Sequence, residues 1–435
     1  MKNILFTLAL LVSFVSFGQT ADEYYKMGST KFQSGDDTGA IADYTKAIEI
    51  NPEDFYAYFD RGLSKHNLGD YTAAIADYNK AIELFNKIAP VMLPLDETEY
   101  VSRLYHFRGS AKFDLKDYTA AIVDYNKAIE MNPYDWWWWY SRGVAKFRIG
   151  DDTGAIADYT KAIEINPKDA QTYWRRGCSK AELSDYNGAI ADFTKSMEVE
   201  PDYNTYYFRG EAKHNLGDNT GAIKDYTKSI ELDPEDVQAY YSRASAKFNL
   251  GDYTGSILDY TKFIELYPED AQSYYWRALA KYVLGDYTRA IADFTKAIEL
   301  NPNDADAYNN RGLSKNDLKD YNGAINDYTK AIELNPNNAV HYYNRGISKN
   351  DLKDYNGAIN DYTKAIELNP NYAGAYHNRG YSKNDLKDYS GAINDYTKAI
   401  ELNPNLAIAY LSRGLSKNDL KDYNGAIADF TKSIE

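Results

Sequence analysis

The sequence predicts an all-α protein, a right-handed superhelical solenoid built from about twelve antiparallel helix pairs. Proline recurs every 34 residues, with one step of 33, between Pro133 and Pro404. Between successive prolines, apolar residues recur at helical spacing in two blocks. Tyrosine is in excess, with 43 Tyr against 16 Phe and 6 Trp, and it returns at fixed places in the period. Together these observations indicate a repeated helical hairpin.

The repeated unit is shown in full by residues 305–338, ADAYNNRGLSKNDLKDYNGAINDYTKAIELNPNN. In its first block, an aromatic residue at unit position 4 (Tyr308) precedes a small residue at position 8 (Gly312), which lets two helices approach closely. The second block has one apolar helical face, formed by Ala324, Tyr328 and Ala331. Each block spans about 13 residues, so each helix should be about 20 Å long.

The turn and the ends of the unit carry helix signals as well. Asp320, between the blocks, is placed to cap the second helix. Asn335-Pro336 ends that helix, because the residue before a proline is pushed out of the α region. One hairpin cannot bury its own apolar face, whereas stacked hairpins share a continuous core. The predicted repeats of residues 21–435 start at 21, 55, 102, 136, 170, 203, 237, 271, 305, 339, 373 and 407.

The small residue at unit position 8, Ala at 20, the aromatic at 24, Ala at 27 and Pro at 32 resemble the pattern of the tetratricopeptide-repeat family. The resemblance covers residues 21–435, nearly all of the chain. It implies two antiparallel helices per repeat, a concave groove lined mainly by the first helices, and peptide or protein ligands.

Charged residues recur at three unit positions, and two of these, positions 7 and 11, depart from that family pattern. Position 7 is Arg in eleven of the twelve repeats, as at Arg311, and Met27 is the exception. Position 11 is Lys and position 23 is Asp in all twelve, as at Lys315 and Asp327. A cation on the first helix and a carboxylate on the second predict an Arg–Asp pair, within the hairpin or to the next one, because the guanidinium fork suits a carboxylate. We interpret the pair as setting the register rather than binding a ligand.

Composition disfavours several functions. The net charge of -15 and the pI of about 4.9 argue against nucleic-acid binding, and a basic or neutral partner fits better. Cys178 is the single cysteine, and the five histidines are scattered, so neither a disulfide nor a metal site is expected. The chain has no P-loop, GxGxxG or GxSxG motif. We therefore expect no enzyme activity and no cofactor.

The first 18 residues, MKNILFTLALLVSFVSFG, predict a signal peptide. Lys2 supplies the positive start, an apolar run follows, and Ser16 and Gly18 are the small residues before the expected cleavage at Gln19. The alternative is an uncleaved anchor, although the run is short for a bilayer core of about 30 Å. No Cys follows the run, so a lipoprotein is not expected. The protein should be exported, to the periplasm or outside the cell.

An insertion at 85–101 separates repeats 2 and 3, and Pro90 and Pro94 stop helix propagation within it. It is interpreted either as an extended helix end with a loop packed on the ridge of the solenoid, or as a docking loop that covers the groove.

A run of four tryptophans, Trp136 to Trp139, opens repeat 4. Trp139 falls at the core aromatic position. Large aromatics at groove positions predict a binding hot spot or a platform for a sugar ring, and the candidates are Phe113, Trp137, Tyr140, Phe147 and Trp174. The alternative is that the tryptophans fill a gap beside the insertion.

The last four repeats carry Asn and Asp on the expected groove side. Because Asn offers a donor and an acceptor, its rows predict an asparagine ladder that holds an extended peptide; the alternative is a solvated polar face copied by duplication. The rows are Asn310, Asn344 and Asn378 at position 6, Asn316, Asn350, Asn384 and Asn418 at position 12, and Asp317, Asp351, Asp385 and Asp419 at position 13. The carboxylate clamp of chaperone-tail binders is not matched.

These features predict an exported scaffold or adaptor that binds a protein or an extended peptide in its groove. The alternative is glycan binding, to cell-wall or other polysaccharide, through the Trp-rich segment. The sequence stops at Glu435 inside a second helix without a polar capping helix, so we expect end-to-end self-association or fraying there.

Overall fold

The computed structural model describes residues 19–88 and 95–435, and every regular element in this part of the chain is an α-helix. The chain divides into two compact units, with the boundary between Gly217 and Asp218. The predicted signal peptide, 1–18, lies outside the described residues. None of the helices described combines the length and the hydropathy needed to cross a membrane.

The helices follow one another with short connections in both units. In the first unit they are α1 Ala21–Gln33, α2 Asp37–Ile50, α3 Phe55–Asn67, α4 Tyr71–Ile88, α5 Leu95–Asp114, α6 Tyr118–Met131, α7 Trp136–Arg148, α8 Asp152–Ile165, α9 Ala170–Glu182, α10 Tyr186–Val199 and α11 Tyr203–Asn215. In the second unit they are α12 Asn219–Leu232, α13 Val237–Asn249, α14 Tyr253–Leu266, α15 Ala271–Val283, α16 Tyr287–Leu300, α17 Ala305–Asp317, α18 Tyr321–Leu334, α19 Ala339–Asp351, α20 Tyr355–Leu368, α21 Ala373–Asp385, α22 Tyr389–Leu402, α23 Ala407–Asp419 and α24 Tyr423–Ile434.

Within each unit, every helix packs against the helix before it and the helix after it. The first helices of most neighbouring pairs touch as well. Such nearest-neighbour packing is the defining property of a solenoid. It confirms the predicted all-α repeat fold.

An aspartate caps the start of the second helix in the pairs, as the sequence predicts. Oδ1 of Asp320 accepts a hydrogen bond from the Gly323 N–H at 3.0 Å. One residue earlier the backbone turns through the left-handed region, with Gly in some repeats (Gly285, φ 79°) and Lys in others (Lys319, φ 64°). Gly adopts this conformation without steric cost, so the lysines show that the turn geometry is imposed by the packed helices.

Close helix approach depends on the small residue at unit position 8. A Cβ placed on Gly312 would lie 2.8 Å from Cε1 of Tyr328, and the Tyr328 side chain is almost fully buried. The tyrosine at position 24 therefore packs directly against the backbone of the first helix. This explains the tyrosine excess as core packing.

The charged pattern forms a buried ionic cluster that we call the Arg–Lys–Asp clamp, formed by unit positions 7, 11 and 23. Arg311 Nε and Nη2 donate to the two carboxylate oxygens of Asp327 at 2.9 and 2.7 Å. Lys315 Nζ lies 2.8 Å from Oδ2 of the same carboxylate. Because Asp327 is only 4% exposed, its charge depends on these two cations for compensation.

The clamp also joins neighbouring helix pairs. Nη1 of Arg311 donates to Oγ1 of Thr295, in the preceding pair, at 3.1 Å, and the guanidinium lies over the Tyr308 ring at 5.5 Å. The predicted Arg–Asp pair is thus confirmed within the hairpin, and Thr295 supplies the contact to the neighbour. The same pair recurs at Arg61–Asp77, Arg108–Asp124, Arg142–Asp158, Arg176–Asp192, Arg243–Asp259, Arg277–Asp293, Arg345–Asp361, Arg379–Asp395 and Arg413–Asp429.

The described ends of the 85–101 insertion are helical. Helix α4 continues to Ile88, and α5 already begins at Leu95, before the predicted repeat start at 102, because no Gly or Pro interrupts the chain after Pro94. Phe85 and Val101 are buried in one hydrophobic cluster. Residues 89–94, where a docking loop was considered, lie outside the described residues.

We predict that Asp327→Ala destabilises α17 and α18 by about 3 kcal/mol, because Arg311 and Lys315 lose their carboxylate in a mostly buried site. The double variant Arg311→Leu with Asp327→Leu should recover much of this loss. Hydrogen exchange of the amides of both helices in the full chain measures the local free energy of opening.

The matched control is Lys330→Ala, which removes an exposed ion pair with Glu333 (3.0 Å). That change should cost less than about 1 kcal/mol. If Asp327→Ala lowers the free energy of opening by no more than this control does, the clamp does not stabilise the hairpin.

Candidate functional site

The tryptophans at the start of α7 differ in how far they are buried. Asp135 caps the helix, and its Oδ1 accepts from the Trp137 N–H at 2.9 Å. Trp138 is the buried one, at 4% exposure, with its ring 4.2 Å from that of His106. Trp139, at the core aromatic position that the sequence predicts, is half-buried and packs against the cluster of Ala128, Ile129 and Trp138, and its Nε1 donates to the Pro133 carbonyl at 2.9 Å. Trp137 is 43% exposed, so it is the ring most available to a ligand.

The exposed tryptophan belongs to a chain of aromatic contacts across two helix pairs. The Trp137 and Tyr140 rings are stacked, with centroids 5.0 Å apart and an interplanar angle of 17°. Arg175 Nε donates to Tyr140 Oη at 3.3 Å, and the Arg175 guanidinium lies over the Trp174 ring at 5.4 Å. We call Phe113, Trp137, Tyr140, Trp174 and Arg175 the aromatic surface.

A pocket of about 190 Å³ opens beside this surface, between α5, α7 and α9. It brings together Phe113 and Tyr140, two of the predicted site residues. Its lining consists of Ser110, Phe113, Asp114, Tyr125, Tyr140, Ser141, Val144 and Arg175. Trp137 and Trp174 flank the pocket through their contacts with Tyr140 and Arg175. Phe147 is half-buried, and no ring contact found in the described part of the chain joins it to the pocket.

The pocket lies next to a neutral buried histidine. His106 Nε2 is 2.9 Å from Ser141 Oγ, and burial lowers the pKa of His106 to about 3. The imidazole is therefore uncharged at neutral pH.

Arg175 lines the pocket, and the sequence analysis did not single it out. Unit position 6 holds Arg only in this repeat, so the departure from the repeated pattern was visible in the sequence. Phe208 was also missed, and its ring meets that of Trp174 edge-on at 5.5 Å. A further aromatic contact lies in the second unit, where the rings of Phe248 and Trp276 are 5.6 Å apart.

The predicted asparagine ladder is largely used inside the protein. Asn344 is buried and donates to Asn309 Oδ1 at 2.9 Å, so its placement on an open ligand face was wrong. Asn310 donates to Tyr275 Oη at 2.9 Å, and Asn378 donates to Tyr343 Oη at 3.1 Å. In each case the asparagine at unit position 6 donates a hydrogen bond to the side chain at position 5 of the preceding repeat.

The asparagines at unit position 12 serve the same purpose. Their side-chain oxygens accept from the serine at position 10 of the next repeat. The distances are 2.6 Å for Ser348 to Asn316, 2.7 Å for Ser382 to Asn350 and 2.7 Å for Ser416 to Asn384. Both rows therefore join neighbouring repeats, because side chains one or two unit positions apart on adjacent first helices lie within hydrogen-bond distance.

The aspartates at unit position 13 remain exposed, at Asp317, Asp351 and Asp385. Burial raises the pKa of Tyr282 to about 12, and a hydrogen bond to Asp317 contributes to this shift. Burial also raises the pKa of Asp351. No group of three or more His, Cys, Asp or Glu side chains in the described residues could hold a metal ion.

A hydrogen bond between unit positions 5 and 6 of neighbouring repeats also forms near the start of the chain, where it involves a partly buried carboxylate, Asp60. Tyr25 Oη donates to Asp60 Oδ2 at 2.7 Å. Burial raises the pKa of Asp60 to about 6, although the hydrogen bond from Tyr25 and the charge of Arg103 oppose the shift. The folded protein is therefore more stable with Asp60 protonated than with Asp60 ionised.

We predict that Asp60→Asn stabilises α1–α3 near pH 7.5 and that this advantage vanishes near pH 4. The folded pKa lies above the ordinary value of 3.8, so the contribution of Asp60 to stability is full below pH 4 and is lost as the pH rises through 6. Hydrogen exchange of α1–α3 across this pH range measures the difference from the parent protein. A difference that does not change with pH would contradict the assignment.

Comparison with known proteins identifies the repeats. Sequence models described as tetratricopeptide repeat match residues 305–338, 339–372 and 373–406, residues 241–305, and residues 55–87, 139–169 and 170–203. A model described as TPR repeat matches 28–69, 109–150 and 210–251. Comparison with curated proteins gives no match.

Among solved structures, the chain is similar to MamA, at 28% identity over 36% of this chain and 92% of that one, with a TM-score of 0.35. It is similar to YrrB, a TPR protein with an unusual peptide-binding site, at 24% identity over 42% and 95%, with a TM-score of 0.38. It is also similar to the APC/C hetero-tetramer Cut9-Hcn1, at 15% identity over 98% and 94%, with a TM-score of 0.41. The sequence matches extend over well over half of the chain, which therefore belongs to the tetratricopeptide-repeat family.

Proposed function

We propose that this protein is an exported interaction scaffold that binds a protein or an extended peptide on the aromatic surface of its first unit. The observation that carries the proposal is the exposed Trp137 ring, stacked on Tyr140 beside the pocket. Exposed aromatics held rigidly next to a pocket are the residues that dominate binding energies at protein interfaces.

The size of the pocket supports a peptide side chain as its occupant. Its volume of about 190 Å³ is below the roughly 300–1,000 Å³ of typical small-molecule sites. Val144, Phe113 and Tyr140 supply apolar walls, and Arg175 supplies a polar end. Such a site suits one apolar side chain of a longer partner, whose remaining contacts spread over neighbouring repeats.

The glycan alternative has less support from the geometry. A sugar platform needs open aromatic faces, and Trp137 provides one. Trp174, the second ring considered, is half-buried between the Arg175 guanidinium and the Phe208 ring. Only one of the two tryptophans is thus free to stack on a sugar.

Export is supported by the sequence of residues 1–18, with their apolar run and small residues before Gln19. The scaffold would then meet its partner in the periplasm or outside the cell. The partner is chosen by the side chains on the first helices, because the fold alone does not define it.

We predict that Trp137→Ala weakens peptide binding by about 2 kcal/mol, the loss expected for an interface hot spot. The measurement is fluorescence anisotropy with peptides selected from a random dodecamer display library against residues 19–435. Tyr134→Ala is the matched control, because Tyr134 is 83% exposed just before α7 and lies outside the pocket.

Equal losses in Trp137→Ala and Tyr134→Ala would contradict the proposed site. Calorimetric titration with cell-wall polysaccharide fragments tests the alternative. Heat of binding that disappears in Trp137→Ala, in the absence of any peptide binding, would favour a glycan ligand instead.

Export makes a separate prediction about the mature chain. Protein recovered from the extracytoplasmic fraction should begin at Gln19, because cleavage is expected after Gly18. Intact mass and N-terminal sequencing measure this directly. A chain that still begins at Met1 in that fraction would contradict cleavage.

A further inference from the structure

We infer that Arg175 makes the pocket selective for a peptide segment in which an apolar side chain is followed by a carboxylate. The inference rests on the proposed peptide-binding function and adds the chemistry of the partner to it. It follows from three features of the pocket: an arginine without a carboxylate partner, polar neighbours that are already bonded, and apolar walls on the other sides.

Arg175 differs from the arginines of the clamp next to it in the chain. Arg176 pairs with Asp192 at 2.7 Å and Lys180 reinforces that pair. Arg175 forms no ion pair with any residue in the described part of the chain, and it is half-buried among aromatic rings. Its Nε is bonded to Tyr140 Oη, whereas Nη1 and Nη2 have no hydrogen-bond partner in residues 19–88 and 95–435. A half-buried guanidinium in this condition favours an anionic ligand.

Three hydroxyl groups of the pocket, those of Ser110, Tyr125 and Ser141, have hydrogen-bond partners within the protein. Ser110 Oγ lies 3.4 Å from Tyr125 Oη. Ser141 Oγ lies 2.9 Å from Nε2 of His106, which is neutral because burial lowers its pKa to about 3. The two outer nitrogens of Arg175 are the charged donors that remain for a ligand, because only its Nε has a hydrogen-bond partner in the described residues.

One carboxylate of the protein also lines the pocket. Asp114 Oδ2 is 2.8 Å from His66 Nε2, so this carboxylate already has a partner and does not reach Arg175. The ligand carboxylate is expected on the Arg175 side, and the apolar side chain between Phe113 and Val144. Asp114 then disfavours an acidic group elsewhere in the pocket.

The overall charge of -15 favours basic partners at long range. The pocket, in contrast, favours an acidic group because of Arg175. The two effects act over different distances. Long-range repulsion is screened beyond about 10 Å at ordinary ionic strength, whereas a bidentate hydrogen bond acts at contact and survives salt better. The preference for a carboxylate should therefore persist at 0.3 M salt.

The test uses residues 19–435 and three fluorescein-labelled peptides, acetyl-Gly-Ser-Leu-Xaa-Ser-Gly-amide, in which Xaa is Glu, Gln or Lys. The Glu peptide should bind about tenfold more tightly than the Gln peptide, as expected for a charge-assisted hydrogen bond. In Arg175→Gln this ratio should fall below about twofold. Arg148→Gln is the matched control, because Arg148 is exposed at the end of α7 and outside the pocket lining.

Two further variants keep the result interpretable. Arg175→Lys retains the charge but lacks the fork, so the ratio should fall to about threefold. Asp114→Asn should raise the affinity for the Glu peptide without raising that for the Lys peptide. Thermal unfolding of each variant shows whether the fold is intact, and Arg175→Lys decides the question if Arg175→Gln is unfolded.

Each outcome separates the inference from the proposed function. Equal binding of the Glu and Gln peptides overturns the role of Arg175 and leaves peptide binding in place. Equal losses in Arg175→Gln and Arg148→Gln overturn it as well, since net charge then explains the effect. Failure of all three peptides, together with failure of the library-selected peptides, overturns the proposed function. Tighter, Arg175-dependent binding of a trigalacturonate overturns the peptide assignment in favour of an acidic glycan.

Discussion

The buried aspartate at unit position 23 is the constraint on which the array depends. A carboxylate removed from water is costly unless it is paired and hydrogen-bonded. In repeat 9, Asp327 therefore holds Arg311 and Lys315 against the second helix, and the third guanidinium nitrogen of Arg311 reaches Thr295 in the preceding pair. One buried charge thus fixes both the geometry of a hairpin and its contact with the neighbour. Since almost every repeat contains this cluster, the spacing of the helices is set by the same chemistry along each unit.

This constraint leaves the other first-helix positions free to differ between repeats. In the first unit they hold large aromatics and, at unit position 6 of one repeat, Arg175, which forms no ion pair with a carboxylate of the described residues. In the last repeats they hold asparagines that bond from one repeat to the next, such as Asn344 to Asn309. The side chains of the first unit remain exposed to a ligand, whereas the asparagines of the last repeats form hydrogen bonds within the protein. The proposed binding site is therefore local to a few helices even though the scaffold is periodic.

The sequence predicted features that depend on a repeated local pattern. Helix caps, the close approach at Gly312 and the Arg–Asp pair follow from residue types at fixed unit positions. It failed where the outcome depends on which neighbour a side chain meets. The sequence did not show that the Trp138 ring is buried against His106, or that Asn344 bonds to Asn309 of the preceding repeat. Arg175 stands next to the structural Arg176, which pairs with Asp192, and only the structure distinguishes the environments of these two adjacent arginines.

The central claim is that the clamp couples neighbouring pairs as well as the two helices of one pair. A double-mutant cycle between Arg311→Lys and Thr295→Val, followed by hydrogen exchange of α16 and α17, tests it most directly. Lysine keeps the charge next to Asp327 but cannot reach Thr295 with a second nitrogen. The account predicts a coupling energy of about 1 kcal/mol. Strictly additive effects of the two substitutions would show that the bond from Arg311 to Thr295 does not couple the neighbouring pairs.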